Sequence, residues 1–142
     1  MSQNKTMLIT GCSSGLGKAL ALQAMQAGYR VLATARKKTH QDELRALGLE
    51  AYELDVCDAA SIQQLVLHLH QQNIQLDILV NNAGLIRRED ALAFSEKDWD
   101  DVMNVNIKSA FFMSQAAGRH FIAQGSGKII NIASMLSFQG GI

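Results

Sequence analysis

The 142-residue chain contains no proline, one tryptophan and two cysteines, and its 13 basic and 13 acidic side chains leave no formal net charge. A chain without excess positive charge lacks the electrostatic footprint of a nucleic-acid or anionic-membrane binder, so neither is an expected partner. Long hydrophobic runs are missing too. The longest, such as Ile78-Leu79-Val80 and Ala110-Phe111-Phe112-Met113, fall far short of the ~20 residues that span a bilayer. The start, Met-Ser-Gln-Asn-Lys, has no apolar signal core, and the expected location is the cytoplasm. Cys12 and Cys57 stand far apart with no Cys-x-x-Cys or Cys/His cluster, which excludes a zinc site and predicts two small buried thiols rather than a disulfide. No internal repeat or low-complexity linker divides the chain, whose length is near the ~150 residues typical of one domain. With 48% hydrophobic and 18% charged residues, it has enough apolar side chain to fill one core, which argues against disorder.

Short apolar runs alternate with longer amphipathic stretches along the whole chain, the pattern of β-α-β units in a parallel sheet. Strands are predicted at 6–10, 30–34, 51–54, 77–80 and 128–132, each nearly continuous in apolar character, as expected where helices cover both faces. Helices are predicted at 15–27, 41–47, 59–72 and from 95 to about 124. Gly28 and Gly48 are placed to end the first two. Ser95 is placed to cap the last, with Glu96 and Asp98 in its first turn. Asn104 and Asn106 should break that long helix. His68 and His70, two apart on a helix, do not share a face and read as surface residues, whereas Trp99 and the methionines read as packing.

The first strand leads into Gly11-Cys12-Ser13-Ser14-Gly15-Leu16-Gly17 and then a helix. Glycines permit a tight turn and a close backbone approach, and a helix N-terminus offers N–H groups with a partial positive charge. That is a cradle for an anion such as a pyrophosphate. The spacing Thr-Gly-x-x-x-Gly-x-Gly resembles the short-chain dehydrogenase/reductase family. Further matches follow in the family's order: Asp55-Val56, Asn81-Asn82-Ala83-Gly84, Val105-Asn106-Ile107 and Asn131-Ile132-Ala133-Ser134. From Asn81 onward the chain looks like the family's deoxy-gluconate and keto-deoxy-gluconate dehydrogenases, notably in Leu85-Ile86-Arg87-Arg88-Glu89-Asp90 and Ser134-Met135-Leu136-Ser137-Phe138-Gln139. Its first 80 residues resemble a more generic, NADP-type branch, which raises the expectation of a recombined chain.

The resemblance implies an α/β fold, a three-layer Rossmann-like doubly wound parallel sheet of about five strands in the order 3-2-1-4-5. Residues 1–142 would form a single partial dinucleotide-binding domain lacking the family's last strands and helices. It further implies that Thr10, Gly11, Ser13, Ser14, Gly15, Leu16 and Gly17 cradle the dinucleotide, that Asp55 and Val56 flank its adenine, and that Asn82, Ala83 and Gly84 border its ribose. Local roles stand beside these: Asp55 as a strand-end cap, and the asparagines as turn formers. After the second strand an acidic residue would suit NAD; the chain instead offers Thr34 and then Arg36 and Lys37, which can pair with a 2′-phosphate. NADP is therefore preferred over NAD, although Lys38 continues the run as a solvated basic turn would.

Of the family's Asn-Ser-Tyr-Lys catalytic set, Asn106 and Ser134 match the first two, as the residue that holds a helix and the residue that orients a substrate hydroxyl or carbonyl. The Tyr-x-x-x-Lys pair is expected beyond Ser134, and the chain reaches Ile142 without it. It is thus expected to be inactive alone, because an alkoxide formed by hydride transfer needs a better acid than a serine. Arg87 and Arg88 could clamp a sugar-acid carboxylate, or form a solvated loop with Glu89 and Asp90. The fifth strand is expected to be an exposed apolar edge, and the helix from Ile107 to Gln124 a source of either core or dimer contacts; both point to a homo-oligomer.

Overall fold

A computed structural model describes residues 4–135 and 138. Five strands, β1 (Thr6–Ile9), β2 (Arg30–Ala35), β3 (Glu50–Glu53), β4 (Ile78–Asn81) and β5 (Lys128–Asn131), form one sheet in the order β3-β2-β1-β4-β5. Every pairing is parallel. Helices α1 (Gly15–Gln26), α2 (Lys38–Ala46), α3 (Ala59–Gln71), α4 (Glu96–Met103) and α5 (Ser109–Gln124) connect them. This is the parallel α/β sheet that the alternating pattern predicts, in the Rossmann-like order that the family resemblance implies.

Side chains alternate across a strand, so the inner strands β1, β2 and β4 each feed two cores. Met7, Ile9, Val31, Ala33, Ile78 and Val80 pack with Ala21 and Ala24 of α1 and Leu44 of α2. Leu8, Leu32 and Leu79 point the other way, against Leu65 and Leu69 of α3 and Met113, Ala117 and Phe121 of α5. The near-continuous apolar character of these strands follows from having both faces covered.

Gly28 and Gly48 adopt positive φ just past α1 and α2, as expected, and Gly125 does the same after α5. Ser95 caps α4, its Oγ accepting the Asp98 N–H at 3.0 Å. The structure corrects four local expectations. Helix α2 starts at Lys38 rather than residue 41, extended by the Lys38–Asp42 pair one turn apart. The asparagines do not break the last helix: a π-helical turn, Asn104–Lys108, joins α4 to α5. Trp99 is not packed but 59% exposed on α4, a helix that buries none of its residues. Cys12 is buried as expected, whereas Cys57 is exposed.

Helix α5 turns Met113, Ala117 and Phe121 inward and leaves Phe111, Phe112 and Ile122 exposed. β5 is the last strand of the sheet, with all four residues exposed.

Candidate functional site

The sheet order reverses between β1 and β4, and in parallel sheets ligands bind beyond the carboxyl ends of the strands at such a switch point. A cleft of about 510 Å³ opens there, within the range of small-molecule sites. Its walls come from the glycine-rich turn, the ends of β2 and β3, the segment after β4, and the α4 end with the π-helical turn.

The turn is shaped by close contacts. Gly11 has φ +71°, and a Cβ there would sit 2.8 Å from Ala83 Cα. At Gly17 a Cβ would collide with Asn82 Nδ2 and with the Gly11 carbonyl oxygen. Gly15 has open space but φ +57°, a left-handed conformation that favours glycine. Ser14 occupies the N-cap of α1 in extended conformation without a side-chain cap bond, and no acidic residue lies in the first turn. The amino end of α1 therefore presents its partial positive charge to the cleft without a local carboxylate to offset it.

Two residues lock this turn to β4. Thr10 Oγ1 accepts the N–H groups of Asn82 at 3.0 Å and Ala83 at 2.9 Å. In return, Asn82 Nδ2 donates to the carbonyls of Thr10 at 2.8 Å and Gly11 at 3.1 Å. Asn81 acts on the other side, its Nδ2 donating to Ser114 Oγ of α5 at 3.0 Å and Asn131 Oδ1 of β5 at 2.8 Å. Beyond them, Asn106 grips the backbone of Leu85: its Oδ1 accepts the Leu85 N–H and its Nδ2 donates to the Leu85 carbonyl, both at 2.8 Å. The π-helical turn presents Asn106 for this bidentate contact, consistent with the frequent use of π-bulges at functional positions.

Gly11, Ser13, Ser14, Leu16, Gly17, Arg36, Asp55, Val56, Asn82, Ala83, Gly84 and Arg87 all line the cleft. Thr10, Gly15, Lys37, Arg88, Asn106 and Ser134 do not. Thr10 braces the turn through its hydroxyl, Gly15 bends it at positive φ with open space beside it, Asn106 holds the neighbouring loop, and Lys37 is the N-cap of α2. Ser134 lies in the exposed segment after β5.

Thr34 is not the side chain that meets the cleft after β2. It is buried, its hydroxyl donating to the Ile9 carbonyl at 3.1 Å, and Ala35 and Arg36 line the cleft instead. Arg36 is exposed and, among the described residues, belongs to no ion pair, as is also true of Lys37. Asp55 does act as a local cap, its Oδ1 accepting the Cys57 N–H at 2.9 Å, while still lining the cleft. Arg87 pairs with Asp98 at 3.1 Å rather than with Glu89 or Asp90. The Ser95 hydroxyl, and then Arg87, hold the Asp98 carboxyl below its ordinary range.

Cys57, Leu85, Asp101, Asn104 and Val105 line the cleft although their place in the sequence suggests no site role for them. Asp101, Asn104 and Val105 reach it from helical positions that only the turn of the chain after α4 reveals. Although Cys57 is exposed overall, desolvation of its thiol by neighbouring groups, with the Asp55 charge, raises it above its usual range. Full burial pushes Cys12 up to about 11. Neither thiol is poised as a thiolate near neutral pH.

The family model described as short chain dehydrogenase matches residues 5–142. The chain is 54% identical to a 2-dehydro-3-deoxy-D-gluconate 5-dehydrogenase of Escherichia coli and 41% identical to one of Bacillus subtilis. Each alignment covers 99% of this chain and 57% of the relative, so the chain spans little more than half the length of those proteins. Among solved structures, a provisionally named NAD(P)-dependent gluconate 5-dehydrogenase from Beutenbergia cavernae, with NADP bound at low occupancy, superposes with a TM-score of 0.85 at 39% identity. That match covers 99% of this chain and 58% of the other. A short-chain dehydrogenase from Streptomyces avermitilis superposes with a TM-score of 0.86 at 33% identity, covering 94% of this chain and 51% of that one. With its fold, its glycine-rich turn and these matches in agreement, the chain belongs to the short-chain dehydrogenase family.

Proposed function

We propose that this chain is the dinucleotide-holding part of an oxidoreductase acting between NADP(H), in preference to NAD(H), and a hydroxyl or carbonyl of a sugar acid. One observation carries the reading: the uncapped amino end of α1, the glycine-walled turn and the Arg36 guanidinium all border the same cleft. The group fits the residues present. A Cβ at Gly11 or Gly17 would push the turn off Ala83 or Asn82, so the backbone shape that admits a pyrophosphate depends on glycine. When bound, the dinucleotide supplies or accepts the hydride.

The backbone from Gly11 through Gly17, with Ser13 and Ser14, holds the phosphates, and Thr10 keeps that backbone in place. Arg36, assisted by Lys37, pairs with the 2′-phosphate. Asp55 and Val56 border the adenine, and Asn82, Ala83 and Gly84 the ribose. Asn106 fixes Leu85 and so the wall that substrate meets. Ser134 orients the substrate oxygen, and Arg87, rather than Arg88, offers its guanidinium to a sugar-acid carboxylate. The sugar-acid class draws support from the names of the relatives.

The test replaces Gly15, whose Cβ would meet open space, with aspartate or asparagine. Both residues tolerate the left-handed backbone, but only Asp sets a negative charge at the mouth of the anion cradle. Loss of NADPH binding in Gly15→Asp and its retention in Gly15→Asn is the expected result, with the fold checked by circular dichroism. Equal binding by both variants contradicts the reading.

A second reading concerns assembly. Phe111, Phe112 and Ile122 on α5 and Ile129 and Ile130 on β5 leave apolar surface exposed, which supports self-association in a cytoplasmic homo-oligomer. Light scattering behind a sizing column should give a mass above that of one chain. A monomer across the accessible concentration range removes this reading and leaves the first intact.

A further inference from the structure

On the face of the sheet away from α1, an apolar groove of about 650 Å³ runs between α3 and α5. Its floor reaches Leu8 and Leu79, which belong to the core of that face. Ala116 and Ala117 keep the α5 wall low, and Leu65 and Leu69 form the wall opposite. Val66 and Leu67 extend the apolar surface to the rim, where they are 37% and 59% exposed.

The polar lining is sparse, and Arg119 is its one charged side chain among the described residues. Among the described residues no aspartate or glutamate lines the groove, whereas Gln63, His70, Arg119 and His120 do. His120 is committed, its Nε2 accepting the Leu76 N–H at 3.4 Å and its ring lying 6.1 Å from that of His70. Arg119 donates to the neutral Gln115 Oε1 at 3.3 Å, and among the described residues no carboxylate pairs with it. Its charge is therefore uncompensated beside an open apolar groove.

We propose that this groove binds a single-chain anionic amphiphile, with the aliphatic tail along Val66, Leu67 and Ala116 and the acidic head on the Arg119 guanidinium. Size and lining both suit such a ligand: small-molecule sites are typically a few hundred cubic ångströms, mostly apolar, with few polar groups that set orientation. The charge of the rim selects the sign of the head group. A second copy of the chain would need a facing acidic and apolar surface, and nothing in the lining calls for one. The site lies on the opposite side of the sheet from α1 and is independent of the dinucleotide cleft.

The probe is dodecanoate below its micelle concentration, titrated calorimetrically into the full 142-residue chain, with dodecyltrimethylammonium as the reversed-charge comparator. Dodecanoate should bind saturably with one site per chain, and the ammonium compound should bind at least about tenfold more weakly. Arg119→Glu, an exposed change, should weaken dodecanoate by at least about tenfold and remove the preference for anions. Ala116→Phe should fill the groove and abolish binding of both, with circular dichroism reporting whether either variant has unfolded. Absence of saturable binding, equal affinity for the two amphiphiles, or unchanged binding in folded Arg119→Glu overturns the proposal. So does a dimer that dodecanoate dissociates and Ala116→Phe disrupts, which would give the groove to a second copy of the chain.

Discussion

Gly17 carries the most constrained position in the cleft, because its missing side chain lets the first turn of α1 lie against both Asn82 and the Gly11 carbonyl. One of those neighbours is backbone and the other is a side chain already held by two hydrogen bonds, so neither yields readily. Gly17→Ala should therefore cost about 1–3 kcal/mol in urea unfolding, the usual penalty for overpacking. It should also weaken dinucleotide affinity more than stability, since it displaces the turn itself. Unchanged stability and affinity would mean that the turn adjusts freely and that its glycines are dispensable. At this scale the glycine spacing is legible in the sequence itself. The reasons for it are not, since Ala83 and Asn82 lie far along the chain and meet the turn only after β1 and β4 pair. The cofactor-selecting position shows the same limit: Thr34 ends an apolar run in sequence, but β2 continues to Ala35 and Arg36 is the side chain that reaches the cleft.

Among the elements, the strands were the most legible, because a strand covered on both faces is apolar at nearly every position and bounded by polar residues. Their order needed the family resemblance. Two asparagines lower helix propensity and predict a break at the join between α4 and α5. The helix instead accommodates Asn106 by widening into a π-helical turn, which leaves its amide facing the Leu85 backbone. Propensity is a local quantity, and this contact spans 21 residues. Asn106→Ala should accelerate hydrogen exchange at the Leu85 amide while leaving the β1 and β4 amides protected. An unchanged Leu85 rate would show that the wall of the cleft is held by something other than this pair. The outward side of α5 was a matter of two open alternatives, core or interface. Phe121 belongs to the core, and Phe111, Phe112 and Ile122 do not.

Across the whole molecule, two cores on either side of one parallel sheet place every loop that forms the cleft at the same end of the strands. This arrangement joins the helix end, the glycine turn and Arg36, three features spread over the first 36 residues, to the segment after β4. The expected division of the chain near residue 80 rested on a basic turn typical of one branch and a later segment typical of another. The relatives at 54% and 41% identity align over 99% of the chain, across both halves. The most direct test of the account is a fluorescence titration of the purified chain with NADPH and with NADH, repeated on Arg36→Ala. The account predicts saturable binding of one dinucleotide per chain, tighter for NADPH, with that preference lost in Arg36→Ala and NADH affinity little changed. A folded chain that binds neither dinucleotide, or an Arg36→Ala variant that keeps the preference, would contradict it.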